Sequence, residues 1–273
     1  MIVDQNKIIT ILTGAGISAE SGIPTFRGPE GYWTVGSKEY HPEEMATYAM
    51  FAKQPDEVWK WYLYRLSVCS NAKPNEGHIA LVEMEKIFQD RFTLITQNVD
   101  GLHLRAGNSM ERTYQIHGNV FFMRCINECN KRLYPLPLEI LPRNKDKELS
   151  RDDKKLLSCP DCGTGTRPHV LWFDESYDEH YFKFESAMAV AKKTDILIIA
   201  GTSGATTLPN KIANIVYQNK RTIIDINIEK NPFTELAINS VNGNFLNMTC
   251  SEGLTKILNT VNTNVNRDFN FNK

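Results

Sequence analysis

Four short runs of β-branched and aliphatic residues limit how this chain can fold: Ile8–Leu12, Phe92–Thr96, Asp195–Ala200 and Thr222–Ile226. Strands that are apolar throughout belong in a parallel sheet with both faces covered by helices. Helical stretches lie between them, as in Val58, Trp59, Tyr62 and Leu66, whose spacing repeats every three to four residues. Strands alternating with helices in this way read as an α/β fold. Two stretches differ from this pattern. Residues 34–84 are helical and aromatic; residues 123–166 carry two cysteine pairs, several prolines and a charged run from Arg143 to Lys155. Both are expected to be modules inserted in one domain spanning residues 1–262. From Thr260 onward the chain is rich in Asn and poor in large aliphatics, so a flexible tail is expected over 263–273.

Composition bounds the partners. A formal net charge of −1, with 41% hydrophobic and 23% charged residues, calls for neither nucleic acid nor an anionic membrane. No apolar run approaches the ~20 residues that span a bilayer. The first residues show no basic segment leading into an apolar one and a cleavage site. A cytoplasmic monomer is therefore expected. In such a reducing compartment, clustered cysteines are more often metal ligands than disulfides. Cys159-Pro160-Asp161-Cys162 is C-x-x-C; Cys125 and Cys129 are separated by three residues. Four thiolates would satisfy one tetrahedral Zn2+ and leave no open position, which makes the expected metal structural.

The run Ile8–Leu12 leads into Gly14-Ala15-Gly16-Ile17-Ser18-Ala19, a G-x-G-x-x-A pattern in strand–turn–helix context. Small residues there let the backbone approach a pyrophosphate at a helix start. A plain tight turn would look the same. An ordinary dehydrogenase would then show a strand ending in an acidic residue about 20 positions on. Gly31 to Glu39 is not such a strand, so a dinucleotide would be held differently.

Longer blocks sharpen this reading. Gly14-Ala15-Gly16-Ile17-Ser18-Ala19-Glu20-Ser21-Gly22-Ile23-Pro24-Thr25-Phe26-Arg27-Gly28 is followed by Thr96-Gln97-Asn98-Val99-Asp100-Gly101-Leu102-His103 and Ile116-His117-Gly118. Arg167-Pro168-His169-Val170-Leu171-Trp172-Phe173, Gly201-Thr202-Ser203 and Asn227-Ile228-Glu229 come after. In this order, over about residues 8–260, the chain resembles the sirtuins, NAD-dependent protein deacylases. The resemblance implies a Rossmann-like parallel sheet with helices on both faces, a smaller zinc-binding module, a helical module, NAD as co-substrate, and acyl-lysine proteins or peptides as partners. It also implies the reaction: the substrate amide oxygen attacks C1′ of the nicotinamide ribose, nicotinamide leaves, and the acyl group moves to the ribose, giving free lysine and O-acyl-ADP-ribose.

Roles follow from the resemblance, position by position. His117 is the expected general base, a task suited to a side chain whose ordinary pKa is ~6.5. The chain has six histidines, and chemistry alone does not choose among them. Asn98 would orient ribose and water, and Asp100 would meet the nicotinamide carboxamide, although Asn-Val-Asp-Gly is also ordinary turn composition. Cofactor contacts are further expected from Gly14, Ala15, Gly16, Ser18, Glu20, Phe26, Arg27, Gln97, Gly201, Thr202, Ser203, Asn227, Glu229 and Cys250. By chemistry alone Cys250 reads equally well as a small buried thiol. Val170 and Phe173 are expected along the substrate.

Tyr62 and Arg65 stand at i and i+3 on one helix, so they share a face. They are similar to the Tyr-x-x-Arg motif of the desuccinylase and demalonylase class, and Ala46 matches that class's small pocket residue. An arginine fork can hold a carboxylate bidentately, with the phenol as a further donor; a solvated face with a snorkelling arginine is the alternative. Deacetylation is compatible with the same motif. Two departures stand out. Asp174 replaces the family's glycine where substrate backbone would pair as an added strand, which is expected to disfavour acidic peptides or admit different ones. Gly204-Ala205-Thr206-Thr207 lacks the usual aliphatics. Mono-ADP-ribosyl transfer or NAD hydrolysis is the alternative activity on such a fold.

Overall fold

The computed structural model describes residues 6–24, 33–35 and 38–270. Its strands are β1 (Ile9–Thr13), β2 (Trp33–Val35), β3 (Lys38–Tyr40), β4 (Phe92–Thr96), β5 (Thr113–Gln115), β6 (Gly118–Cys125), β7 (Tyr134–Pro135), β8 (Thr166–Val170), β9 (Ile196–Ala200), β10 (Thr222–Asn227) and β11 (Asn244–Asn247). Its helices are α1 (Gly16–Ala19), α2 (Pro42–Met45), α3 (Tyr48–Lys53), α4 (Pro55–Asn71), α5 (Glu76–Phe88), α6 (Leu102–Ala106), α7 (Arg151–Leu156), α8 (Glu179–Phe182), α9 (Phe184–Lys193), α10 (Thr207–Gln218), α11 (Pro232–Asn239) and α12 (Cys250–Asn270).

The four apolar runs form the centre of a six-stranded sheet in the order β11-β10-β9-β1-β4-β5, parallel throughout. Side chains alternate across it. Ile9, Ile11, Ile196, Ile198, Ile224 and Ile226 pack with Ala80, Leu81 and Met84 of α5 and Leu254, Ile257 and Val261 of α12. Leu12, Leu197, Ile199 and Ile223 face the other way, onto α9, α10 and α11. Covering both faces is what makes a uniformly apolar strand stable, and β1 and β9 are buried at every residue. The edge strands β5 and β11 were not expected; they are short and polar, and β11 has exposed ends. Helix α5, which begins inside the 34–84 stretch and runs on to Phe88, belongs by its packing to the sheet. The segment expected to be a tail continues α12 as helix to Asn270, after Leu254, Ile257 and Val261 have anchored it to the core.

The second core is separate. Strands β7, β6 and β8 form a small antiparallel sheet. Val58, Trp61, Leu63 and Leu66 of α4 pack onto Val120, Met123, Leu136 and Trp172 around it. Trp59 Nε1 donates to Thr166 O at 3.0 Å and so ties α4 to β8. Among the described residues no helix is long and apolar enough to cross a membrane.

Candidate functional site

The loops leaving β1 and β9 press directly on each other at the carboxyl edge of the sheet. Gly14 N–H donates to Ala200 O at 3.0 Å and Gly16 N–H to Gly201 O at 2.7 Å. A Cβ on Gly14 would stand 2.7 Å from Thr202 Cβ, and one on Gly16 would stand 2.6 Å from Gly201 Cα. These glycines are thus required by loop-on-loop packing, a reason different from pyrophosphate access. Gly201 has φ +65°, and a Cβ there would meet Ile17 N at 2.6 Å and Cys250 Sγ at 2.8 Å. Cys250 is a buried thiol, pushed up to about 12 by desolvation. The helix that the motif opens, α1, is a single turn.

A compact hydrogen-bond network lies beneath these loops. Asn98 Nδ2 donates to Gly14 O at 3.0 Å and Ser18 Oγ at 3.1 Å. Ser18 Oγ donates onward to Asp100 Oδ2 at 2.7 Å, and Leu102 N–H reaches Asp100 Oδ1 at 2.8 Å. Burial raises the Asp100 carboxyl, while these donors pull in the opposite direction. Gln97 Nε2 donates to Thr202 Oγ1 at 2.9 Å, and Thr206 Oγ1 donates to Gln97 Oε1 at 2.9 Å. The carboxyl ends of β4 and β9 are stitched together in this way.

His117 sits at the junction of β5 and β6, between the large sheet and the small one. Its Nδ1 lies 3.1 Å from Gln97 O and its Nε2 lies 2.8 Å from Tyr177 Oη. A carbonyl can only accept, so Nδ1 carries the hydrogen and Nε2 of the neutral ring accepts from the phenol. The residue is only partly exposed, and desolvation of the ring pushes its pKa down to about 4. His117 therefore rests neutral, with a lone pair on Nε2. The glycine after it is obligatory: Gly118 has φ +85°, and a Cβ there would stand 2.2 Å from His169 O.

The four clustered cysteines bring their sulfurs within 4.8 Å of one another. Cys125 and Cys162 are 3.5 Å apart and Cys129 and Cys159 3.7 Å apart. Zn–S bonds of about 2.3 Å in a tetrahedron require sulfurs about 3.8 Å apart, so these residues fit one structural Zn2+. The extra residue between Cys125 and Cys129 is absorbed by Glu128, which takes φ +46° and donates its N–H to Cys125 O at 3.3 Å. Gly163 turns the other knuckle at φ +75°.

Residues 14–207 match the Sir2 family. The chain belongs to that family. The NAD-dependent protein deacylase of Leptospira interrogans serogroup Icterohaemorrhagiae serovar Lai is 42% identical over 233 residues, 85% of each chain. That of Aquifex aeolicus is 39% identical over 237 residues, covering 85% of this chain and 88% of its own. A Sir2 homologue–NAD complex superposes with a TM-score of 0.76 at 34% identity, over 95% of this chain and 91% of that one. A Sir2–p53 peptide–NAD+ complex gives a TM-score of 0.73 at 25% identity, over 93% and 94%.

In this Sir2-family chain the remaining expected site residues fall in different settings. Asn227 Nδ2 donates to Thr202 O at 3.0 Å, at the carboxyl end of β10. Ser203 and Glu229 are exposed, and Ala15 is half-buried. The Glu20 carboxylate accepts from Ser251 N–H at 3.0 Å, at the start of α12. Phe26 and Arg27 lie outside the described residues. Tyr62 is buried, and its hydroxyl accepts from Trp172 Nε1 at 3.0 Å; burial raises its pKa well above the ordinary phenol value. Arg65 is half-buried, with its guanidinium 5.3 Å from the centre of the Trp61 ring. A cavity of about 20 Å³ lies beside Arg65, lined by Ile23, Pro24, Tyr64, Val68 and Cys69; Tyr62 is not part of its wall. Buried Ala46 accepts from Phe173 N–H at 2.9 Å, and Val170 is buried at the end of β8 while Phe173 is half exposed. Asp174 receives the N–H of Tyr48 at 2.7 Å and of Ala49 at 3.0 Å. Its charge thus caps α3. Tyr177 reaches this site with no warning in the sequence, because it acts across a long separation and belongs to no spaced pattern; Thr206 lies in the run Gly204–Thr207 that departs from the family's aliphatics.

Proposed function

We propose that this chain is an NAD-dependent protein-lysine deacylase with His117 as its general base and an acyl pocket that accepts acidic groups. One observation carries the first part: a neutral histidine with its lone pair on Nε2 stands beside the Asn98–Ser18–Asp100 network, at the sheet edge where ligands of open α/β sheets bind. The relatives named as NAD-dependent protein deacylases support the same reading. Bound NAD supplies the electrophilic ribose carbon and the nicotinamide leaving group. The protein's part is to bind, orient and move a proton. Gly14, Gly16, Gly201, Thr202 and Asn227 form the loop floor for the dinucleotide, with Ser203 and Glu229 at its exposed end. Asp100 and Asn98 offer carboxylate and amide oxygens near the reacting end, in a setting that excludes most water. His117 Nε2 takes the ribose hydroxyl proton when the acyl group transfers.

The acidic-acyl preference rests on Tyr62 and Arg65. The Trp172 N–H fixes the Tyr62 oxygen as acceptor, which leaves the phenolic hydrogen to donate. Arg65 is near enough to lower the Tyr62 pKa by its charge, so the two share one electrostatic environment. A carboxylate held by both would gain charge-assisted hydrogen bonds. The cavity beside Arg65 is small, and an acyl chain would have to widen it. The test is a panel of acetyl-, succinyl-, malonyl- and glutaryl-lysine peptides with NAD, followed by mass spectrometry. O-succinyl-ADP-ribose is the expected product, and Arg65→Met should lower kcat/KM on succinyl-lysine roughly 30-fold more than on acetyl-lysine. Equal losses on both would end the acidic-acyl reading. Label transferred to protein, or free ADP-ribose without peptide turnover, would favour the ADP-ribosyltransferase or NAD hydrolase alternative.

A further inference from the structure

The accepting nitrogen of His117 is not vacant in the folded chain, because the Tyr177 hydroxyl stands 2.8 Å from it. The other nitrogen is committed to Gln97 O. Tyr177 is held from outside the site. Its ring lies 28° from parallel with Phe184 at 6.3 Å, and it packs on the cluster formed by β9, α9 and α10. The Thr206 hydroxyl and the Leu208 N–H lie near enough to oppose the rise in its pKa that burial causes, and Thr206 donates its one hydrogen to Gln97 Oε1. Gln97 thus holds His117 through its backbone oxygen and Thr206 through its side chain.

A phenol is both donor and acceptor, and its hydrogen rotates about the C–O bond. Within the deacylase reading, on which this inference rests, a proton bound for Nε2 has to pass the phenol that already occupies its single in-plane lone pair. We infer that Tyr177 relays the proton to His117: its oxygen accepts the substrate hydroxyl while its own hydrogen passes to Nε2. The substrate O–H and the original Tyr177 O–H bonds break, a new Tyr177 O–H bond and the Nε2–H bond form, and the electron pair stays on the substrate oxygen. Tyr177 ends with one hydrogen, as it began.

Tyr177→Phe tests this while preserving the ring and its packing; a thermal melt establishes that the variant is folded. The expected result is roughly a tenfold fall in kcat for acyl transfer, with KM for NAD and for peptide changed by less than about twofold. Nicotinamide exchange, which precedes proton removal, should stay at the wild-type rate. On a His117→Ala background the same substitution should cost nothing more, because there is no ring left to receive the proton. Thr206→Val, which removes the hydroxyl nearest the phenol, should give a smaller loss of the same pattern. Unchanged or increased kcat in Tyr177→Phe, or a loss that adds fully to that of His117→Ala, would overturn the inference. Absence of nicotinamide release by the wild type with NAD and every acyl peptide would instead break the deacylase reading itself.

Discussion

The carboxyl edge of the large sheet and the cysteine knuckles of the small one are both built from glycines and short polar side chains, yet they are stabilised in opposite ways. At the sheet edge the chain supplies every partner itself. Gly14, Gly16 and Gly201 touch backbone to backbone, and Ser18, Asn98, Asp100 and Gln97 answer one another's hydrogen bonds. At the knuckles four sulfurs converge within 4.8 Å, and around them are the Thr164 hydroxyl, the Asn130 amide and turn backbone. The first region is preorganised for a ligand that comes and goes. The second is arranged around a metal that stays.

The largest expected effect follows from that contrast. Stripping the metal with a strong chelator, or replacing Cys159 by Ser, should destabilise the small sheet by about 5 kcal/mol or more, since metal-binding energy is folding energy in such modules. Hydrogen exchange should accelerate in β6 and β8 and stay slow in β1 and β9. Fluorescence of Trp59, whose indole binds Thr166 O, should report the opening. Equal protection with and without chelator would mean the knuckles hold without a metal, and the comparison would fail.

A pair of glycines separates space from dihedral angle. Gly16→Ala puts a Cβ 2.6 Å from Gly201 Cα, so backbone must move; a loss of about 3 kcal/mol is expected in denaturant melts. Gly163 has nothing within 4 Å of its Cβ position and only φ +75° to favour glycine. Gly163→Ala should therefore cost about 1 kcal/mol. The reverse ranking would show that the loops leaving β1 and β9 are looser than their contacts.

Acid acts on the two regions by different routes. His78 and His103 are buried behind the sheet edge, 4.8 Å apart, and neither His78 Nε2 nor His103 Nδ1 has a hydrogen-bond partner. Desolvation pushes His78 down to about 4 and His103 well below its ordinary value. The unfolded chain takes up these protons near pH ~6.5 while the folded one resists, so stability is full above that pH and falls as pH drops toward 4. Each histidine contributes up to about 1.4 kcal/mol per pH unit. Asp100, raised by burial, works the other way in the carboxylate range. Acid also releases metal from thiolates. His117 and His169 are depressed by desolvation in the same way, so the four together should cost about 4 kcal/mol between pH 6.5 and 5.5; a loss that persists in Cys159→Ser assigns it to the histidines, and a loss confined to the metal-bound protein assigns it to the knuckles.

The central strands were legible because burial on two faces leaves a one-dimensional mark: a run such as Ile196–Ala200 has no other use. The edges β5 and β11 left none, because short strands with polar residues look like loops. The zinc cysteines were legible because their chemistry needs four of one residue type in pairs. His117 was legible only through resemblance, since a base is defined by what surrounds it. Its partner Tyr177 lies 60 residues away in sequence, and Asp174 reads as a misplaced charge until the N–H groups of Tyr48 and Ala49 are seen to receive it. Long-range polar contacts carry no periodicity, and a single chain does not encode them in any local pattern.

The smallest expected effect tests how the long knuckle is tolerated. Glu128 occupies the left-handed region at φ +46°, where a side chain with a Cβ is strained by about 1 kcal/mol and glycine is not. Its carboxylate lies 3.7 Å from Arg124 but is 62% exposed, so the ion pair is worth little. Glu128→Gly should therefore stabilise the metal-bound protein by about 0.5 kcal/mol after the entropy of a more flexible unfolded chain is subtracted. The gain arises only where the turn is held in that conformation. In the metal-free protein, where no cysteine tetrahedron imposes φ +46°, the same substitution should give no gain. A gain of equal size in both states would show that the turn is fixed by its own backbone, and that the knuckles, like the sheet edge, are preformed.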